Sequence, residues 1–260
     1  ASRPEPIADD VTTHPARAHE RQLIVLEGCA QAAATPGTNS AARRVLERLG
    51  ISLVAAPRAG CCGALHYHLG EHAAGRAYMR ANIDAWWPLI ERGAEAIVMT
   101  ASGCGATVTE YAQLLGDDAN YADKARTVAE MTRDIAEVVD GEDLAALRLT
   151  PRRERVALHC PCTLQHAQRL GGTLRSLLSR SGMNLVETQE QHLCCGSAGS
   201  YSLLQPLLSE RLKERKLTAL TVENPDLIVT ANVGCQLHLA SGTPVPVRHW
   251  IEAIAASMGE

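Results

Sequence analysis

The 260-residue chain contains no phenylalanine, and tryptophan and tyrosine supply its whole 3% aromatic content. Nothing in the sequence explains that absence, but other absences exclude whole classes of function. No apolar run approaches the roughly 20 residues of a membrane-spanning helix, and the cluster Trp86-Trp87-Pro88-Leu89-Ile90 suits a core or an interface. The order G-x-G-x-x-G is missing, so flavin or nicotinamide chemistry is expected to reside in another chain. There is no surplus of positive charge: 25 Lys and Arg against 29 Asp and Glu leave a net charge of -4 and no argument for nucleic acid. The basic runs Arg152-Arg153-Glu154-Arg155 and Arg211 to Lys216 read as solvated helix or loop faces. Cys-x-x-Cys knuckles, the usual mark of structural zinc, are lacking as well.

What is present is a duplicated cysteine pattern. Cys29, Cys61-Cys62-Gly63 and Gly103-Cys104 are matched by Cys162, Cys194-Cys195-Gly196 and Gly234-Cys235. The lone cysteine precedes the pair by 31 intervening residues in both halves, and 41 and then 39 residues separate the pair from the last cysteine. Flanking segments repeat at the same offset of 131 to 133 residues: Ala41 to Val54 aligns with Thr173 to Val186, and Ala94 to Cys104 with Pro225 to Cys235. Two long copies indicate a pseudo-twofold pair of domains and not a solenoid. The expected division is a Pro-rich, charged linker over residues 1–20, a first repeat over 21–150 and a second over 151–260. No positively charged, apolar leader marks a signal peptide, and the linker composition is that of a stub to which something upstream was joined.

Short apolar runs at Leu23 to Leu26, Leu53 to Ala55, Ile97 to Thr100, Val156 to Leu158, Leu185 to Glu187 and Leu227 to Thr230 predict buried strands. Ser40 to Leu49 and Leu174 to Ser181 predict helices, closed by Gly50 and Gly182. Continuous apolar strands alternating with helices imply an α/β fold, each repeat a mostly parallel sheet flanked by helices. The cysteines fall just after strands, where ligand sites of open parallel sheets lie.

Adjacent cysteines make a strained disulfide with one another, and nine is an odd number, so a disulfide framework fits poorly. Two adjacent thiolates can instead ligate different irons of one cluster. A following glycine lets the backbone turn tightly and bring its amides to the sulfides. Cys29, Cys61, Cys62 and Cys104 in one repeat, and Cys162, Cys194, Cys195 and Cys235 in the other, supply the four thiolates of a [4Fe–4S] centre. Zinc accepts the same number of thiolates and stays open as the alternative metal.

On these residues the halves resemble the cysteine-rich CCG domains of heterodisulfide reductases and their relatives. The ordered segments LEGCAQAAATPGTNSAARRVL, GCCGALHYHLG, NIDAWWPLIERGAEAI, TASGCGA, HCPCTLQHAQ, HLCCGSAG, TANVGCQLHLASG and VRHWIE are similar to the iron–sulfur subunits of glycolate oxidases, over Arg21 to about Ser257. The resemblance implies an electron-transfer subunit without catalysis of its own, passing electrons from a flavin-containing partner toward quinone or the respiratory chain. It implies a location in the cytoplasm, at the membrane only through partners. In that family a ferredoxin-like module precedes this region, in keeping with the linker reading of residues 1–20. Lactate-oxidising complexes, heterodisulfide-type thiol chemistry and a zinc-stabilised scaffold are the rival readings.

The fullest CCG pattern ends in Cys-x-x-Cys and supports a noncubane cluster with five cysteine ligands. Here Thr107 and His238 stand three residues after Cys104 and Cys235. A fifth ligand in the second repeat would come from Cys160 or His238, whose bland readings are a small buried thiol and a histidine bonded to a carbonyl. His66, His68 and His72 either tune the first site or serve ordinary hydrogen bonding.

Overall fold

The structure, a computed structural model, describes residues 19–259, so the expected linker falls almost wholly outside the described residues. The first half runs β1 (Arg21–Leu26), α1 (Cys29–Ala34), α2 (Pro36–Arg48), β2 (Ile51–Ala55), α3 (Ala64–His68), α4 (His72–Ile90), β3 (Ala96–Met99), α5 (Ser102–Thr109), α6 (Tyr111–Leu114), α7 (Ala122–Met131), β4 (Thr132–Asp134) and α8 (Ile135–Asp140). A 3-10 turn over Leu144–Leu147 leads to the second half: β5 (Arg155–Leu158), a π-helical turn over Thr163–Ala167, α9 (Gly171–Arg180), β6 (Asn184–Leu185), α10 (Tyr201–Leu204), α11 (Pro206–Thr221), β7 (Leu227–Thr230), α12 (Val233–Ala240), β8 (Val247–His249) and α13 (Trp250–Ser257). The strand orders correspond, β2-β1-β3-β4 and β6-β5-β7-β8, and every pairing within them is parallel.

Side-chain alternation along the strands sorts residues into separate cores, because successive strand residues face opposite sides of a sheet. Leu23, Ala96 and Val98 point into a core shared with Val156, Leu158, Leu227 and Val229 of the other half. Their neighbours Ile24, Leu26, Ile97 and Met99 face a core private to the first half, and Ala157 and Ile228 one private to the second. The halves also exchange their last helices: α13 packs on α2, and α8 packs on α9. Thr38 donates to Glu252 across the first of these contacts, and Arg180 pairs with Asp140 across the second. Trp250 is completely buried in the shared core and Trp86 in the first private core, as a core reading of the tryptophan cluster expects.

Two short edge strands were not legible in the sequence, yet each ends in a matched helix cap. Asp134 Oδ1 accepts from the Ala136 N–H at 2.9 Å, and His249 Nδ1 accepts from the Ile251 N–H at 3.2 Å. Both groups are buried, and desolvation penalises their charged forms in opposite directions on the pH scale. It raises the Asp134 carboxyl to about 7 and lowers His249 from 6.5 to about 3. The depressed imidazole binds its proton more readily in the unfolded chain, so its contribution to stability is complete above about pH 6.5 and is lost as pH falls toward 3. His249→Asn keeps an acceptor at the cap and removes the titration. Its urea-unfolding free energy should fall less steeply between pH 6.5 and 4 than that of the native chain, and parallel pH profiles would refute the assignment.

Candidate metal centre

Corresponding segments carry the two cysteine sets. Cys29 opens α1 just beyond β1, Cys104 lies in the first turn of α5 beyond β3, and the pair Cys61-Cys62 sits in the loop between β2 and α3. Cys162 follows β5, Cys235 lies in the first turn of α12 beyond β7, and Cys194-Cys195 sits in the loop between β6 and α10. The glycine after each pair is obligatory. Gly63 and Gly196 have φ of 85° and 91°, and a Cβ there would stand 2.6 Å from the Gly75 carbonyl oxygen or 2.4 Å from that of Ser209. These contacts seat the pairs directly on α4 and α11. The same glycines donate their N–H groups to sulfur, Gly63 to Cys61 at 3.4 Å and Gly196 to Cys194 at 3.3 Å.

In the first set the sulfurs form a chain of contacts from Cys29 through Cys61 and Cys62 to Cys104, with 3.5 Å between Cys29 and Cys61. Burial raises the Cys29 thiol, the Cys62 contact raises Cys61, and the Cys104 contact pushes Cys62 up to about 12. The second set repeats the chain from Cys162 through Cys194 and Cys195 to Cys235. Here Cys194 is held low by the thiols of Cys162 and Cys195, and Cys235 by that of Cys195, while Cys162 and Cys195 are pushed up as the donors. All nine cysteines are free. Soft sulfur donors without a carboxylate among them suit zinc or iron–sulfur clusters and not magnesium or calcium, so the donor chemistry fits the group expected from the sequence.

The surroundings of the two sets differ. In the first, Asn82 accepts from the Gly60 N–H and donates to the Cys61 carbonyl, while Tyr111 donates to the Cys62 carbonyl. At the place on α11 that corresponds to Asn82 on α4 stands Lys216, 1% exposed, donating to the carbonyls of Glu190 and Gln191 at 2.9 and 3.4 Å. Lys213, one turn earlier, is also buried and donates to Glu210 and Ser241. The expectation that Arg211 to Lys216 is a solvated face is therefore wrong for these two residues. They share the inward side of α11, and backbone carbonyls, the Ser241 hydroxyl and the Glu210 carboxylate satisfy the amines that burial would otherwise strand. Burial pulls the Lys216 ammonium below its usual range, against the opposing pull of the Cys162 and Cys195 sulfurs.

The two sets also abut. The Asn232 side chain accepts from the Gly103 N–H at 3.2 Å and donates to Cys235 Sγ at 3.7 Å, joining the residue before Cys104 to the second set. Ser102 is held alongside by its N–H to the Ala231 carbonyl and by Thr163 and Gln168.

The secondary candidates are placed elsewhere. Cys160 donates weakly to the Pro161 carbonyl and lines a cleft with Arg169, Arg175 and Gln191. His238 Nε2 shares a hydrogen bond with Ser209 Oγ at 3.1 Å. His66 packs its ring on Tyr78 and His72 on Tyr67, and His68 is exposed. Among the described residues, the one group of three or more metal-ligating side chains whose donor atoms all lie within 4.8 Å of one another is His159, Cys195 and Cys235. Sequence reasoning missed His159, Lys216, Asn82 and Asn232. The available signal for His159 was a polar residue ending a buried strand where the other repeat has Leu26.

Comparison with known proteins agrees with this layout. The profile of the CCG cysteine-rich domain matches residues 24–109 and 156–240. The chain is 52% identical over 240 residues to the glycolate oxidase iron-sulfur subunit of Escherichia coli, a match that covers 92% of this chain and 59% of that protein. It is 25% identical over 224 residues to lactate utilization protein A of Shouchella clausii, covering 82% of this chain and 90% of that one. A hypothetical protein from Helicobacter pylori shares the fold at a TM-score of 0.57 and 12% identity, over 94% of this chain and 50% of the other. The chain thus spans less than two thirds of the E. coli protein it matches. Two parallel sheets, two cysteine sets in corresponding loops and two matches to one profile lead to a single assignment: this chain belongs to the CCG cysteine-rich domain family, which it contains twice.

Proposed function

We propose that the chain is the electron-transferring, iron–sulfur part of a 2-hydroxy-acid oxidase, with glycolate as the substrate oxidised by a flavin-bearing partner. Each four-cysteine set holds one cluster in this reading, Cys29, Cys61, Cys62 and Cys104 in one and Cys162, Cys194, Cys195 and Cys235 in the other. The observation that carries it is the abutment of two all-sulfur donor sets through Asn232. A cluster bound by such thiolates supplies one-electron storage and release. The protein's own part is to hold the sulfurs in place, through the Gly63 and Gly196 amides, and to keep water from them with Tyr111, Asn82 and Lys216. Among the described residues no helix is long and apolar enough to cross a membrane. A cytoplasmic place, at the membrane through partners, belongs to the same proposal.

The test has two stages. Anaerobic purification followed by iron, sulfide and zinc analysis should give iron and sulfide in both sites; stoichiometric zinc without sulfide would replace this reading by a scaffold, which the His159, Cys195 and Cys235 group also suits. The complex with its flavin partner should then reduce a quinone analogue with glycolate as donor. Turnover with lactate and none with glycolate would move the substrate assignment.

A further inference from the structure

His159 is 1% exposed, and among the described residues its ring nitrogens meet no oxygen or nitrogen partner, only the sulfur of Cys235. An imidazole buried without oxygen or nitrogen partners loses its hydration with little in return, so such a ring is rare unless a ligand meets it. Its surroundings say which kind. One ring nitrogen and the sulfurs of Cys195 and Cys235 all lie within 4.8 Å of one another. The ring closes the end of β5, where the chain turns toward Cys162. No other side chain claims it: the nearby amide of Asn232 is already committed to Gly103 and Cys235, and His238 is committed to Ser209.

We infer that His159 is a metal ligand of the second site, giving that site a mixed imidazole and thiolate donor set where the first has thiolates alone. The inference rests on the metal-centre reading above. The comparison within the chain supports it: the position corresponding to His159 in the first repeat is Leu26, a fully apolar member of the private core. The imidazole binds through the lone pair of one nitrogen and keeps the proton on the other, so no electron or proton need be supplied from elsewhere. As a fifth, neutral donor beside the four thiolates, the imidazole leaves the formal charge of the site unchanged and alters the electron density at the metal it meets, so its effect on the potential is confined to the second site.

The test uses the full chain, purified or reconstituted anaerobically with ferrous iron and sulfide and carrying isotopically labelled histidine. Pulsed paramagnetic resonance of the reduced protein should show strong hyperfine coupling to a histidine nitrogen in one of two cluster signals. His159→Leu, which copies Leu26, should abolish that coupling and shift the potential of that signal alone, leaving the first site unmoved. His159→Cys, which keeps a fifth ligand, should restore the metal content if the leucine variant loses it. Clusters in the native chain with no directly coupled histidine nitrogen would overturn the inference while leaving the metal-centre reading intact. A coupling that survives in His159→Leu would overturn it too, and His238 would be the ligand. A native chain that takes up no metal would end both.

Discussion

Cys195→Ser should abolish the second cluster's signal, remove roughly half of the bound iron and stop acceptor reduction in the complex, because a serine oxygen is a far poorer partner for iron in a sulfur-ligated site. Cys195 is 2% exposed and stands between Cys194 and Cys235 in the chain of sulfur contacts, so water has no open route to its place. Its counterpart Cys62, between Cys61 and Cys104, should give the mirror result, with the first signal lost and the second kept. In the proposed complex the flavin partner should still be reduced by glycolate in both variants, since the substitution lies outside its chemistry. Rates of acceptor reduction, cluster spectra and flavin bleaching in one preparation separate these effects. Full acceptor-linked turnover in either variant would show that the sites are structural.

Gly196→Ala should be the most damaging substitution of a single hydrogen by methyl in the described chain. Holding alanine at a φ of 91° costs about 1–2 kcal/mol. Its Cβ would also press to 2.4 Å on the Ser209 carbonyl and 3.1 Å on Leu212, which adds about 1–3 kcal/mol of displacement. Gly182→Ala is the control, for Gly182 has a φ of 78° but nothing within 4 Å of the added carbon. The difference between the two variants in urea-unfolding free energy isolates the contact with α11. Gly196→Ala should additionally lose metal, as the amide that supports Cys194 is moved. Equal destabilisation of the two variants would mean that the pair is not seated on α11 as described.

The sequence carried the parallel α/β architecture because repetition doubled each signal. Leu23 to Leu26 and Val156 to Leu158 were legible as strands, and their cysteines as strand-end residues, from either copy. Helix starts were less legible: α2 begins at Pro36, the favoured first helical position, and α9 at Gly171, whereas apolar spacing alone began them at Ser40 and Leu174. β6 is two residues long where the apolar run suggested three, and β4 and β8 carry Arg133 and Arg248 at their centres. Such short edges pair on one side and have no continuous apolar signature. The site's environment was the hardest to read. Lys216 and Asn82 perform corresponding tasks with unlike chemistry, and only the placement of α4 and α11 against their loops reveals the correspondence. Charge density along Arg211 to Lys216 suggested water, but burial is decided by which side of the helix a residue occupies.

The exchange of α8 and α13 across the shared core has the form of an isologous dimer, in which each subunit lends its last helix to the other. A polypeptide with one repeat could bury its apolar strand face only against a second copy, and each mutation would then appear in both sites at once. Joining the copies through the segment after α8 keeps the interlock and removes that constraint. One chain can then carry Leu26 and Asn82 on one side and His159 and Lys216 on the other, so two centres of common architecture acquire separate chemistry without altering the core that holds them together.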